Sequence, residues 1–196
     1  MSAPAEKNWS NIALLRLSAM GFGVSGVYLA LDTMLLPVLV LAVASEELKN
    51  TFLGVLGFSG LLVAALVQLL VGRLSDRTHS PLGRRIPYLL WGAIFSCVGI
   101  AGFGFATRYL GSDNVSFAAK STALVGVWLF IQLNFNIAYG PYQALIRDLV
   151  PVGRIGVAAS FKILMDAAGA VAMIAVSGAL IGRYTGADTI KWLWLT

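Results

Sequence analysis

Histidine and cysteine are almost missing: His79 and Cys97 are the only ones in 196 residues. No Cys/His pair stands at a metal-binding spacing, so no metal site is assigned. A lone cysteine cannot close an intrachain disulfide. Charge is scarce as well. With 12% charged residues against 58% apolar ones, an ordinary soluble domain is excluded. The net charge of +5 raises the question of nucleic acid. The basic residues, however, sit between apolar runs and not along one soluble face, so nucleic acid is excluded as a partner. The runs hold no nucleophile–base pair, so there is no candidate catalytic residue and the chain is not expected to be an enzyme.

What the sequence has is long uncharged stretches. The residues from Thr51 to Gly72 and from Ile86 to Thr107 carry no charge. Each is close to the ~20 residues that cross a ~30 Å hydrocarbon core. The predicted spans are about 12–44, 51–72, 86–107, 121–146 and 156–182, with the start of a sixth at 189–196. A polar tail, 1–11, precedes them. Span one is expected to bend at Pro37, and span four to be interrupted at Gly140-Pro141. Ala42-Val43-Ala44 looks like a signal cleavage site. The apolar run before it, from about Ile12, is too long for a signal peptide, so an uncleaved first span is expected. The fold class is therefore all-α, a polytopic transmembrane helix bundle in a lipid bilayer.

A basic knot separates spans two and three: Arg73, Arg77, Arg84 and Arg85 against Asp76. The positive-inside rule puts that loop, and the N-terminus, in the cytoplasm. Seven Lys/Arg then lie inside (Lys7, Arg73, Arg77, Arg84, Arg85, Arg147, Arg154). Five lie outside (Lys49, Arg108, Lys120, Arg183, Lys191). The compartment expected is the bacterial inner (cell) membrane.

Ionisable and amide side chains inside spans are functional candidates by default. Asp32 lies deep in span one and Gln68 in span two. Span four carries Gln132, Asn134 and Asn136. The two asparagines project about 200° apart and cannot face one cavity. Tyr139 and Tyr142 share a face and, with Gln143, could line a sugar-like site by hydrogen bonding and ring stacking. Lys162 and Asp166 are one turn apart and can pair, either in the site or as a boundary ion pair. Small residues, Gly54, Gly57 and Gly60 in span two and the run Ala167 to Ala172 in span five, suit close helix packing.

The charged loops resemble those of the major facilitator superfamily. Gly72, Asp76-Arg77 and Gly83-Arg84-Arg85 match its signature between spans two and three. The insertion Thr78 to Leu82, followed by Pro87, is similar to the glycoside–pentoside–hexuronide:cation symporter and sucrose-transporter-like branch. So is Ala144-Leu145, then Asp148-Leu149-Val150-Pro151 and Arg154, after span four. The resemblance implies half of a major-facilitator fold, with a missing C-terminal half or another membrane subunit as partner. It implies a secondary transporter moving a sugar-like or other small solute by alternating access, coupled to protons or sodium and needing no further cofactor. By physics alone, Asp76 can cap a helix N-terminus and Arg77, Arg84 and Arg85 can pair with it; the resemblance implies that this network is a cytoplasmic gate, the alternative being a topology signal and headgroup anchor. Gly72 is expected to end span two and admit a neighbouring helix.

Two departures matter. The branch's sodium symporters use acidic residues on spans two and four, where this chain has only Gln68 and amides. The antiporter Gly-Pro of span five is also absent: Gly169 and Gly178 have no proline beside them. Asp32 is then the candidate proton carrier of span one. The loop around Ser75-Asp76, Thr78-His79, Gly83, Arg85 and Pro87 is also similar to the bacteriochlorophyll-delivery branch. That implies an alternative, a non-transport assembly factor of a photosynthetic complex that binds pigment. No span holds a histidine to ligate one.

Overall fold

A computed structural model describes residues 9–110, 112 and 114–183. The expected start of a sixth span at 189–196, and most of the N-terminal tail, lie outside the described residues. The described residues form five helices long and apolar enough to cross a membrane. They are α1 (Asn11–Val43), α2 (Lys49–Arg77), α3 (Ile86–Leu110), α4 (Phe117–Leu149) and α5 (Ile155–Arg183). Ser10 opens α1 by accepting from the Ala13 N–H at 3.2 Å. Ser116 opens α4 in the same way. Each satisfies a backbone donor that the helix itself leaves free.

Two helices differ in detail from the sequence reading. In α1 the change comes one turn before Pro37. Residues Leu31–Leu35 form a single wide turn, in which the Leu36 N–H reaches back five residues to Leu31 O. Pro37 lacks an N–H and its ring crowds the carbonyl four residues earlier, so the preceding turn widens. In α4 there is no interruption: Phe117–Leu149 runs through Pro141 as one helix. A membrane helix tolerates the lost bond when neighbouring helices cover it. Here Pro141 is buried.

α1 packs on α5, while α4 takes α3 on one side and α2 on another. No hydrophobic force draws apolar helices together in lipid, so close backbone contact matters more. The α1–α5 seam shows it. A Cβ on Gly169 would lie 2.0 Å from the Phe22 carbonyl oxygen, and one on Gly26 would lie 2.6 Å from Gly169 O. The α3–α4 seam repeats the device, with a Cβ on Gly92 falling 2.6 Å from Ala138 N. In span two only Gly60 is used this way. Gly54 and Gly57 face open space. The outward faces carry large apolar side chains, among them Phe58, Leu62 and Leu69 of α2 and Ile163 and Val171 of α5.

The start of α1, the 77–86 loop and the 149–155 connection share one end of the bundle. Leu14 packs there with Ile146, Val150 and Ala158. Arg154 closes that end by donating to the Trp9 carbonyl and to Asn11 Oδ1. Its own N–H bonds Pro151 O at 2.8 Å.

Candidate functional site

The expected residues sort into three groups. The first lies at the arginine-rich end. Ser80-Pro81-Leu82-Gly83 makes a tight turn closed by Gly83 N–H to Ser80 O at 2.9 Å. Gly83 has φ +90°, a conformation that side chains disfavour. The turn delivers Arg85 into the bundle, where its side chain is only 8% exposed. Its fork has three partners on two helices. Nη1 donates to Ser75 Oγ at 2.7 Å and Nη2 to Asp76 Oδ1 at 2.7 Å, both on α2. Nε donates to Asp148 Oδ2 on α4 at 2.9 Å. Arg84 Nη2 adds a second contact to Asp148 at 3.1 Å. Burial alone would lower the Arg85 pKa. The hydrogen bond and charge of Asp148, then those of Asp76, carry it above its ordinary value.

The geometry corrects parts of the gate picture. α2 runs past Gly72 to Arg77, so Gly72 does not end the helix, and a Cβ there would meet nothing within 4 Å. Asp76 sits in the last turn of its own helix, not at a helix N-terminus, and its ion pair is with Arg85. Arg77 is exposed. Asp148, which belongs to the second loop motif, is the residue that Arg84 and Arg85 share. The two motifs thus form one network, and Ser75, which was not among the expected gate residues, sits fully buried beneath it.

The second group is a chain of amides through the bundle. Gln68 of α2 donates to Asn136 Oδ1 at 2.7 Å. Asn136 donates to Gln132 O at 2.7 Å, and Gln132 Nε2 donates to Tyr28 Oη of α1 at 3.1 Å. Gly60 makes room: a Cβ there would lie 2.9 Å from Gln132 Nε2. Asn134 does not join, because it turns back to Phe130 O at 2.8 Å. Asp32 sits half-buried on the wide turn of α1.

The third group joins α5 to α4 and α1. Lys162 Nζ contacts Asp166 Oδ2 at 2.5 Å and Tyr139 Oη at 3.1 Å. It also lies 5.0 Å from the Tyr139 ring centre and 5.7 Å from that of Tyr142. Both distances suit attraction of a cation to an aromatic face. Tyr142 is buried, and its hydroxyl reaches the α1 backbone, accepting from the Gly21 N–H at 3.1 Å and donating to Ser18 O at 3.2 Å. Asp166 Oδ1 lies against the same Gly21, 2.2 Å from where a Cβ would be. Lys162 stands about two turns inside α5, within a contact of three helices. Gln143 is exposed and does not meet the tyrosines. Gly21 was not among the expected residues, since a glycine in an apolar run carries no sign of what faces it.

A cavity of about 510 Å³ lies toward the other end, between α1, α3 and α5. Leu31, Phe103 and Met173 line it, with Ser177 among its few polar groups. It holds none of the expected polar site residues.

Five packed apolar helices, with polar groups gathered inside and arginines at one end, define a polytopic helical membrane protein. Residues 17–196 match the family described as "MFS/sugar transport protein", and the chain belongs to that family. It is 32% identical over 146 residues to sucrose transport protein SUT2 of Oryza sativa subsp. indica, covering 69% of this chain and 28% of that protein. It is 27% identical over 155 residues to sucrose transport protein SUC4 of Arabidopsis thaliana, covering 75% of this chain and 29% of the relative. With sucrose transport protein SUT3 of Oryza sativa subsp. japonica it shares 29% over 113 residues, which is 52% of this chain and 22% of the other. The chain thus spans less than a third of each of these relatives' length. No solved structure matches it.

Proposed function

We propose that the chain supplies the N-terminal bundle of a secondary transporter for a sugar, working by alternating access. One observation carries this reading. In a family of sugar transport proteins, the chain gathers an ammonium, a carboxylate and two tyrosines where three helices meet. Hydroxyl-rich solutes are held by such groups, with charged partners taking hydroxyls and rings packing against C–H faces. The cavity would be completed by a second bundle, from further sequence or another subunit, with the solute near the bilayer midplane. The arginine-rich end is read as cytoplasmic and the membrane as a bacterial inner membrane. Among the described residues, Asp32 and Asp166 are the two membrane carboxylates available to a coupling cation. The photosynthetic-assembly alternative is not carried forward, because the matched relatives are sucrose transport proteins.

The experiment is uptake of labelled sucrose by the complete natural protein in proteoliposomes, followed by a panel of other sugars. Saturable uptake that unlabelled sugar competes away is expected. Absence of sugar uptake and of sugar exchange across the panel would remove the reading.

A further inference from the structure

The amide chain that crosses the bundle has a direction, and a main-chain carbonyl sets it. Gln132 O can only accept, so the Asn136 atom facing it at 2.7 Å is Nδ2. The other Asn136 atom is then Oδ1, which accepts from Gln68 Nε2. Gln132 Oε1 also lies toward Asn136 Nδ2, at 3.5 Å. That turns Gln132 Nε2 to Tyr28, whose Oη accepts. Each link donates to the next, and the last donor is the Tyr28 O–H. Among the described residues nothing accepts it.

Tyr28 is held so as to present that proton. Its ring lies 5.5 Å from the ring of buried Phe135, and Gln132, which fixes its oxygen, is itself buried. Asp32 follows Tyr28 by four residues, so the two side chains share a face of α1. Both are half-buried. Asp32 makes no hydrogen bond or ion pair among the described residues. We propose that Tyr28 and Asp32 form a second solute-binding point, which takes two adjacent hydroxyls of a sugar. Tyr28 donates to one and Asp32 accepts from the other. The inference rests on the sugar-transporter reading.

The chemistry of the pair selects the ligand. A cation beside both groups suits the carboxylate but meets the hydrogen of Tyr28. A carbonyl or an ether accepts from Tyr28 and leaves Asp32 without a donor. A diol serves both, and its bond to the carboxylate is charge-assisted. The position fits as well. Tyr28 is seven residues after Gly21, within about 20° of the same face and about 10 Å along the helix. The point therefore stands in line with the place where Tyr142 and Asp166 meet Gly21. A solute lying along α1 reaches both.

The test is competition against labelled sucrose for binding to the complete natural protein, by equilibrium dialysis in detergent micelles. The competitors are sucrose analogues in which one hydroxyl at a time is replaced by hydrogen or by fluorine. Fluorine accepts a hydrogen bond but cannot donate one. At the carbon whose hydroxyl meets Tyr28, the deoxy analogue is expected to bind about tenfold more weakly than sucrose, and the fluoro analogue to recover most of that loss. At the adjacent carbon, whose hydroxyl meets Asp32, both analogues are expected to lose about tenfold or more. In Tyr28→Phe the first loss disappears and the second remains. In Asp32→Ala the reverse holds. A purely structural role does not produce such a cycle between protein and ligand. Tyr28→Phe leaves buried Gln132 Nε2 without an acceptor, so Tyr28→Phe with Gln132→Met serves as a second form in which neither partner remains. The proposal is overturned if wild type shows no adjacent pair of carbons with this pattern, or if both Tyr28 variants keep every deoxy penalty. A wild type that binds none of the sugars removes the sugar reading itself, and this proposal with it.

Discussion

Replacing Arg85 by Met is expected to be the most damaging change at the arginine-rich end, and its size follows from the contacts. The side chain is 8% exposed and bonds Ser75, Asp76 and Asp148. The Asp76 carboxylate is 56% exposed, so water replaces that contact and it contributes about 0–1 kcal/mol. Ser75 is fully buried, but its hydroxyl also donates to Gly72 O at 3.1 Å, so it is not left without a partner. Asp148 is 22% exposed and keeps Arg84. Loss of its shorter bond to Arg85 costs about 1.5–3 kcal/mol. The total is about 3 kcal/mol, roughly a hundredfold in the folding equilibrium. Arg84→Met should cost under about 1 kcal/mol, since that side chain is half exposed. Arg85→Lys should not rescue, because one ammonium cannot span acceptors on two helices as a fork does. Unfolding of the purified protein by a denaturing detergent in mixed micelles measures all three variants. Equal losses at Arg84 and Arg85, or a wild-type Arg85→Lys, would refute the reasoning.

Further outcomes follow from other contacts. Gly169→Ala should destabilise by about 1–3 kcal/mol through overpacking on Phe22, while Gly178→Ala, which meets nothing within 4 Å, should be near neutral in the same assay. Asp76→Asn should lower transport by the complete protein more than Arg73→Gln, because Asp76 belongs to the Arg85 network and Arg73 is exposed; equal transport in the two would speak against a gate. A cysteine placed at Ser80 should resist an impermeant thiol reagent added to intact cells, and labelling from outside would reverse the orientation. Gly21→Ala should lower sugar transport while leaving membrane insertion intact, since its Cβ displaces Asp166 Oδ1; unchanged uptake would show that this contact has no part in the cycle.

The membrane class and the number of complete spans among the described residues were legible from the order of residues alone. Both depend on local hydropathy and length, which neighbours do not alter. The Lys162–Asp166 pair was legible too, since a four-residue spacing on a helix places two side chains together whatever surrounds them. The divergence of Asn134 from Asn136 was legible for the same reason. Tertiary structure decided what lies far apart in sequence. It joined the two loop motifs through Arg85 and Asp148, 63 residues apart. It linked Gln68 to Asn136 and brought Gly21 onto Asp166. A membrane helix is apolar on nearly every side, so its sequence does not mark which face meets a neighbour and which meets lipid. That choice is made by close fits such as Gly169 on Phe22, which exist only once two helices have met.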